Sequence, residues 1–471
     1  MRGEPQAAPW RPDPRILELS DWLADPVAAA DFPQAELRFR NTRWDKAVGL
    51  GDLGDEEWTR HFGRFAPLPG NLPQPLALRY HGHQFRTYNP EIGDGRGFLF
   101  AQMRDAEDRL LDLGTKGSGQ TPYSRFGDGR LTLKGAVREI LATEMLEALG
   151  VYTSKTFSVI ETGEALERND EPSPTRSAVL VRLSHSHIRI GTFQRLMALE
   201  EYKHLAALVD YCLAHFPGPP PPADTPGRNE PAIRLMHQAV ERLADLAASY
   251  MVAGFVHGVL NTDNMNITGE SFDYGPWRFA PQWAPGFTAA YFDQTGLYAF
   301  GRQAEAINWN LGQLAIALRP LAEAEPLIAA LRRYPALFAA NMQRRFCWRL
   351  GVASRGEEAD AALISTAERQ MQADQTGPDA FFHRHHGGRN ATGPLAEALA
   401  SYAPLPRSHP YWDEAEPQAM LIDEVEAIWA AIDQQDDWTM LENKVEALRR
   451  MGQALGTAPA PAGQGDGQGA S

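Results

Sequence analysis

The most constraining feature of this sequence is a pair of polar motifs, His257-Gly-Val-Leu-Asn-Thr-Asp-Asn264 and Asp273-Tyr-Gly275, whose ends Asn264 and Asp273 are nine residues apart. An amide oxygen and a carboxylate are hard ligands of the kind that Mg²⁺ prefers, and Mg²⁺ leaves room for phosphate oxygens. We therefore expect a metal-dependent phosphate site with Asn264 and Asp273 as ligands.

The same spacing occurs in protein kinases, where an Asn follows the catalytic-loop His by seven residues and a metal-binding Asp begins a D-F-G turn. The kinase catalytic Asp, expected two residues after the His, is replaced here by Val259, which cannot accept a proton. A carboxylate is present instead at Asp263. It could act as base for a hydroxyl nucleophile, hold a metal-bound water, or merely cap a turn.

A second constellation joins Lys116, in Leu113-Gly-Thr-Lys-Gly-Ser-Gly119 at the end of a predicted strand, with Glu139 on the helix that follows. In kinases such a pair aims an ammonium group at the nucleotide phosphates. The structural alternative is a surface Lys in a Gly-rich turn and a solvated helix Glu. The metal motif elsewhere in the chain favours the functional interpretation.

Further groups suited to phosphate binding lie on either side of Lys116. They are Gly93-Asp-Gly-Arg96, Gly127-Asp-Gly-Arg130, and Arg182 with Arg189. Gly lets backbone N–H groups approach an anion, and Arg offers a planar fork to its oxygens. A single G-D-G-R string is only a turn, but this clustering predicts an anion site.

Secondary-structure patterns divide the chain into two unlike halves. Short apolar runs between turns predict strands within residues 76–113, near 156–161 and near 178–183, and helical spacing over 133–149 predicts one helix ended by Gly150. Amphipathic stretches then predict helices over residues 232–253, 304–318, 321–333, 335–350, 358–373 and 419–431. We expect an α+β, protein-kinase-like two-lobed fold, with a smaller mixed N-lobe and a larger, mainly helical C-lobe.

The predicted organisation has four regions. They are an N-terminal extension (1–33), an N-lobe with nucleotide-binding loops (34–200), a helical C-lobe with the metal-binding catalytic loop (201–456) and a tail (457–471). The tail contains almost no large apolar group and is expected to be disordered.

Charge and hydropathy exclude several classes of partner. The formal net charge of −15 argues against capture of nucleic acid or of an anionic membrane, since both need an excess of Lys and Arg. No stretch approaches the roughly 20 apolar residues of a membrane span. The first 26 residues contain no apolar signal-peptide core, which predicts a cytoplasmic protein.

Taken together, five strings resemble the selenoprotein O family and extend over residues 76–318. They are Gly82-His-Gln-Phe85, Ile92-Gly-Asp-Gly-Arg96, Lys116-Gly-Ser-Gly-Gln-Thr-Pro-Tyr-Ser-Arg-Phe-Gly-Asp-Gly-Arg130, Ser186-His-Ile-Arg-Ile-Gly-Thr-Phe193 and residues 257–275.

The resemblance implies an enzyme that binds ATP in a flipped orientation and transfers AMP to Ser, Thr or Tyr hydroxyls of proteins, releasing pyrophosphate. It implies that Asn264 and Asp273 hold Mg²⁺ or Mn²⁺ and that Asp263 is the proton acceptor. The nucleotide-binding residues that it implies are Gly93, Gly95, Arg96, Lys116 with Glu139, Asp128, Gly129, Arg182, Arg189 and Asp273. With the α-phosphate facing the nucleophile, the base would lie away from Val259.

The sequence departs from the family at two points. Arg86 stands where the family usually has Gly, and the C-terminal end lacks the Cys or selenocysteine that many members carry. Two alternative functions stay open from the residues alone: an ordinary ATP-dependent kinase or phosphotransferase, against which Val259 argues, and a catalytically inactive nucleotide-binding scaffold.

Overall fold

The computed structural model describes residues 5–169, 171–406 and 408–462. The strands are β1 (Ala24–Pro26), β2 (Glu36–Arg40), β3 (Leu76–Leu78), β4 (Gly82–Gln84), β5 (Thr87–Asn89), β6 (Leu99–Arg104), β7 (Leu110–Lys116), β8 (Leu131–Thr132), β9 (Lys155–Leu166), β10 (Thr175–Ser184), β11 (Phe255–Val256) and β12 (Arg278–Phe279). The helices are α1 (Ser20–Leu23), α2 (Thr42–Ala47), α3 (Asp55–Phe62), α4 (Leu133–Ala148), α5 (Ile190–Ala198), α6 (Tyr202–His215), α7 (Pro231–Ala253), α8 (Gln303–Ala317), α9 (Ala324–Arg332), α10 (Tyr334–Leu350), α11 (Glu357–Ala373), α12 (Pro378–Arg384), α13 (Gly393–Leu399), α14 (Ile422–Gln435) and α15 (Thr439–Leu455).

The large sheet has the order β1-β3-β6-β7-β10-β9-β2, with β8 also paired to β10. Neighbouring strands run antiparallel, and the register places Gly114 opposite Arg182 and Asp112 opposite Ser184. Because directly opposed residues share a face of a sheet, Gly114 and Arg182 lie on the same side.

The central strands of the large sheet, β6, β7 and β10, are buried on both faces. Leu111 and Val181 belong to an apolar cluster with α3, whereas Leu110 and Leu180 belong to the cluster that contains α4. Side chains alternate along a strand, so the positions at steps of two from Leu110, namely 112, 114 and 116, lie on the α4 face. The polar residues predicted for the site therefore share one side of the sheet.

Helix α4 forms where the sequence predicted it. The Thr132 side chain accepts a hydrogen bond from Gly135 N at its start, and Gly150, with φ of +71°, follows its end in the left-handed conformation. Val137 and Ile140 are fully buried against the sheet. This packing fixes Glu139, on the same helix, beneath β7.

Helix α7 is central to the second half of the chain. Pro231 occupies its first turn and Gly254, with φ of +71°, ends it. Arg345 of α10 pairs with Asp245 of α7 at 2.5 Å, and both side chains are buried. The helices thus form a packed base for the loop that follows β11.

The N-terminal residues join the sheet rather than standing apart from it. Strand β1 lies within the predicted extension and pairs with β3, and Ile16 and Leu23 are buried in the core. At the other end, Ala462 N donates to Asn341 Oδ1 at 2.7 Å. Disorder is predicted for residues 457–471, of which 463–471 lie outside the described residues. The domain boundaries at 33, 200 and 456 stay predictions.

The predicted α+β, protein-kinase-like two-lobed fold is confirmed, since a mixed part with an antiparallel sheet and α4 precedes a mainly helical part. In the ranges that the structure describes, no helix has both the length and the apolar character needed to cross a bilayer.

Candidate nucleotide-binding and active site

A cleft of about 730 Å³ is lined by residues from both halves of the molecule. The predicted site residues that line it are Gly93, Gly95, Arg96, Lys116, Asp128, Gly129, Arg182, Arg189, Asp263 and Asp273. Two further predicted residues adjoin this set: Glu139 contacts Lys116, and Asn264 follows Asp263 in the chain. The structure thus brings all of the predicted site residues together.

Lys116 connects the sheet, α4 and the second half of the chain. Its Nζ lies 2.7 Å from Glu139 Oε2 and 3.1 Å from Asp273 Oδ1. The Lys116 residue is 3% exposed and Glu139 is fully buried. A buried ammonium with two carboxylate neighbours is held in place, and it is also positioned to bind an anion that enters the cleft.

Asp273 is held ionised by its cationic neighbours. Burial would raise the pKa of this carboxyl, but the positive charges of Lys116, Arg182 and Arg189 outweigh burial and hold the pKa well below its ordinary value. Arg182 Nη2 lies 3.4 Å from Asp273 Oδ1. Asp273 also has φ of +62°, a left-handed conformation that is uncommon for a residue other than Gly and is often found at functional sites.

Arg189 ties the two halves of the cleft to each other. Its Nη1 donates to Asp263 O at 2.9 Å, and its Nη2 donates to Asp94 Oδ1 at 3.1 Å. The guanidinium lies over the rings of Tyr80 and Phe272, at 4.3 and 4.8 Å from their centroids. Its Nε is buried without a hydrogen-bond partner among the described residues, so one donor is left for a ligand.

Asp263 lies in a short 3₁₀ turn, Thr262–Asn264, and is 8% exposed. Gln84 Nε2 approaches its Oδ2 at 3.4 Å, while Oδ1 is buried and has no hydrogen-bond partner within the described part of the chain. Burial raises the pKa of this carboxyl to about 6, although the charge of Arg189 opposes that effect. A carboxylate of this kind is more basic than an ordinary Asp and is still ionised at neutral pH, as a general base requires.

The residues predicted as metal ligands suit a hard divalent cation. Asn264 Nδ2 donates to Val259 O at 3.0 Å, which leaves the amide oxygen available as a ligand, and Asp273 is ionised. Over the described ranges, no group of three or more His, Cys, Asp or Glu side chains could hold a metal ion. An Asn and an Asp with phosphate oxygens and water as the remaining ligands is a donor set typical of Mg²⁺.

Two glycine-containing loops form the sheet side of the cleft. Gly129 has φ of +70°, and a Cβ at this position would lie 2.2 Å from the backbone carbon of Gly119. A Cβ at Gly93 would lie 2.5 Å from the ring of Tyr123. These loops approach so closely that a side chain at either position would displace the backbone or the ring that borders the cleft.

Two charged residues of these loops, Arg96 and Asp128, differ in whether they have an ion-pair partner. Arg96 lines the cleft and has no ion-pair partner among the residues that the structure describes, so its guanidinium is available to an anion. Asp128 is held by Arg168, whose Nη1 donates to its Oδ2 at 2.9 Å. Burial opposes ionisation of Asp128, but the Arg130 N–H and the Arg168 charge lower its pKa below the ordinary value. Asp128 thus links the loop to the β9–β10 hairpin.

The hairpin of β4 and β5 contacts the loop of residues 257–264. Phe85 and Arg86 occupy its turn with φ of +49° and +63°, and Phe85 N donates to Asn261 Oδ1 at 3.0 Å. Arg86 pairs with Glu305 at 3.1 Å. Although Arg replaces the Gly usual in the family, the turn keeps the left-handed conformation that favours Gly.

Sequence reasoning missed several residues of the cleft. Tyr123 lines it and donates its O–H to Asp25, Gln84 lines it and reaches Asp263, and His187 lines it as well. All three lie in the strings that carried the family resemblance. Their presence in those strings was the one signal that could have marked them as cleft residues. Their contacts could not be predicted, because each contact joins residues that are distant in sequence.

The fold and the cleft are protein-kinase-like: a sheet Lys is paired with a helix Glu, a 3₁₀ turn after β11 ends in Asn264, and an Asp-Tyr-Gly turn follows. Residues 10–392 match the family model described as "Protein adenylyltransferase SelO", and the chain belongs to this family.

Relatives match between about three quarters and nearly all of the chain. A protein of Gloeobacter violaceus named "Protein nucleotidyltransferase YdiU" is 42% identical over 470 residues, covering 93% of this chain and 95% of its own length. Proteins of the same name from a Synechocystis species and from Vibrio cholerae are 45% and 39% identical. They cover 78% and 74% of this chain, and 78% and 70% of their own lengths.

Among solved structures, a Toxoplasma gondii rhoptry antigen kinase domain overlaps 58% of this chain and 75% of its own, at 11% identity and a TM-score of 0.25. A likeness at that score carries no weight.

Proposed function

We propose that this protein is an adenylyltransferase that transfers AMP from ATP to a hydroxyl group of a protein substrate. The observation that carries the proposal is the position of Asp263. Its buried Oδ1, which has no hydrogen-bond partner among the described residues, lies in a cleft with several cations, whereas Val259 stands at the position of the kinase base.

The cations of the cleft suit a triphosphate. Arg96, Lys116, Arg182 and Arg189 would bind the phosphate oxygens, and the preorganised positive charge would stabilise the additional charge of the transition state. Asn264 and Asp273 would hold Mg²⁺ or Mn²⁺, which when bound would neutralise charge on the phosphates.

In the proposed reaction, Asp263 accepts the proton of the substrate hydroxyl as the hydroxyl oxygen attacks the α-phosphorus. A bond forms between that oxygen and the α-phosphorus, and the bond from the α-phosphorus to the bridging oxygen breaks. The bond electrons leave with pyrophosphate. Ser, Thr and Tyr carry the hydroxyl groups that can act as acceptors in this step.

The experiment that tests the function uses ATP labelled at either the α- or the γ-phosphate, together with purified protein, a mixed protein substrate and Mg²⁺. AMP transfer predicts retention of the α-label alone. The variant Asp273→Ala should lose this labelling, whereas Asp108→Ala, at an exposed position outside the cleft, should keep it. Retention of the γ-label would identify an ordinary kinase, and ATP binding without labelling would favour a scaffold.

A further inference from the structure

His187 lies in the segment between β10 and α5, lines the cleft and is 5% exposed. Its Nδ1 lies 3.0 Å from Asp112 Oδ2, and Gln102 Nε2 donates to Asp112 Oδ1 at 2.7 Å. The imidazole orientation is therefore fixed by a buried chain of three polar side chains from β6, β7 and the β10–α5 segment.

The second ring nitrogen of His187 is in a different situation. Nε2 is buried and has no hydrogen-bond partner in the described part of the protein. A Cβ at Gly114 would lie 2.1 Å from this nitrogen, so the ring occupies the space that a side chain at position 114 would need. Gly114 lies between Asp112 and Lys116 on the α4 face. His187 Nε2 therefore occupies the side-chain position next to that of Lys116 on this face of the strand.

A purely structural role for the His187–Asp112 pair explains only one of the two ring nitrogens. Packing and the bond to Asp112 account for Nδ1, but a buried nitrogen without a partner is unfavourable and is expected where a ligand completes it. Lys116 lies next along the strand, and Arg182 is directly opposite Gly114 in the sheet. The surroundings of Nε2 are thus the cationic part of the cleft, which suits an anion.

We propose that His187 is a further ligand-binding residue whose Nε2 donates a hydrogen bond to the pyrophosphate part of bound ATP, the portion that leaves in the reaction. The identity of that ligand rests on the proposed AMP transfer. Asp112 accepts from Nδ1, and a hydrogen on Nε2 would be donated to a phosphate oxygen of the ligand. In the proposed AMP transfer the α-phosphate would lie beside Asp263, and the remaining phosphates would reach Lys116, which lines the same cleft.

The test measures binding, by calorimetry, of ATP, pyrophosphate and AMP to the full-length protein and to two variants. The amide nitrogen of His187→Asn can replace Nδ1 but not Nε2, whereas that of His187→Gln can reach the Nε2 position. We expect His187→Asn to weaken binding of ATP and pyrophosphate about tenfold or more while AMP binding changes less than about twofold. His187→Gln should recover a large part of the loss.

A matched control is His204→Asn, because His204 is partly exposed and stacks on Trp22 outside the cleft. This control should leave all three affinities unchanged. Unchanged pyrophosphate binding in His187→Asn, or an equal loss of AMP binding, would overturn the proposal.

A second measurement on the unaltered sequence avoids dependence on variant folding. In protein labelled with ¹⁵N-histidine, the His187 Nε2 resonance should move to the N–H form when pyrophosphate is added, and an unmoved resonance would contradict the proposal. Neither measurement requires AMP transfer. If the labelling experiment found γ-phosphate transfer, a His187-dependent affinity for pyrophosphate would still identify the phosphate contact.

Discussion

The Lys116 ammonium lies 3.1 Å from the Asp273 carboxylate, which joins the sheet to the Asp-Tyr-Gly turn across the cleft. Lys116 is also 2.7 Å from the fully buried Glu139. The Lys116 ammonium therefore balances the charges of two carboxylates, the buried Glu139 on α4 and Asp273 in the Asp-Tyr-Gly turn. The same contacts that stabilise the fold also hold the cation where the phosphates would bind.

Replacing Lys116 should therefore affect stability as well as binding. Lys116→Met leaves Glu139 with Arg182 Nη1 at 3.7 Å as its remaining cation among the described residues. Loss of one partner of a buried ion pair lowers the free energy of unfolding by about 3–5 kcal/mol. Chemical denaturation followed by fluorescence measures this change. The double variant Lys116→Met/Glu139→Gln should be clearly more stable than the single variant, and equal stability of the two would contradict the assigned role of the pair.

Asp263→Asn should separate catalysis from nucleotide binding. The amide has nearly the shape of the carboxylate but cannot accept the substrate proton, so AMP transfer should fall about 10²–10⁴-fold. Binding of ATP should not weaken, because the substitution removes a negative charge from the cleft. Steady-state transfer and calorimetric affinity give the two quantities, with Asp108→Asn as an exposed control. A variant that retains half of the activity would exclude Asp263 as the base.

Gly129→Ala should disturb the loop that borders the cleft. The new Cβ would lie 2.2 Å from the Gly119 backbone in a residue whose φ is +70°, so the loop must move. We expect a loss of about 1–3 kcal/mol in unfolding free energy and about a tenfold increase in KM for ATP. Gly127→Ala is the matched comparison, since its Cβ meets Ser124 O at 3.1 Å and its φ is not in the left-handed range. Similar KM values for ATP in the two variants would contradict the inference that the close approach of Gly129 to Gly119 shapes the cleft.

Because the Glu270 carboxyl is buried, we expect the free energy of unfolding to depend on pH. Burial raises its pKa to about 7, although Lys155 and the His185 N–H oppose this effect. Between the ordinary value of 4.5 and about 7, the unfolded chain loses the proton that the folded protein keeps. Stability therefore falls as pH rises through this window, by up to about 3 kcal/mol, and levels off above it.

The variant Glu270→Gln should lack this dependence because its side chain stays neutral. Its unfolding temperature relative to the parent protein should increase from pH 5 to pH 8, and thermal scans at several pH values measure the difference. Glu446→Gln, at an exposed position of α15, serves as control and should show no comparable trend. A constant difference for Glu270→Gln would show that the carboxyl is ionised in the folded state throughout.

Much of the architecture followed from local patterns. Helix α4 begins directly after Thr132 and ends at Ala148, two residues before Gly150, close to the bounds that the helical spacing and the terminal Gly predicted. The predicted helix at 419–431 is shifted in the structure to Ile422–Gln435, and α15 was not predicted. Helix ends near the chain terminus depend on packing against α4 and the sheet, which local spacing does not contain.

By itself, the sequence determined which chemical groups are present and where the chain forms its principal helices and strands. The spacing from His257 to Asp273 and the Lys116–Glu139 constellation were sufficient to predict the cleft. These residue types follow one another along the chain in the order and spacing that protein kinases use for their phosphate and metal site. Tertiary structure decided the environment of each group. Contacts such as Gln84 with Asp263, 179 residues apart, and Asp112 with His187, 75 residues apart, form only when the chain is folded. Burial then shifts the pKa of Asp263 and leaves His187 Nε2 without a partner among the described residues, since desolvation depends on atoms that are close in space and not in sequence.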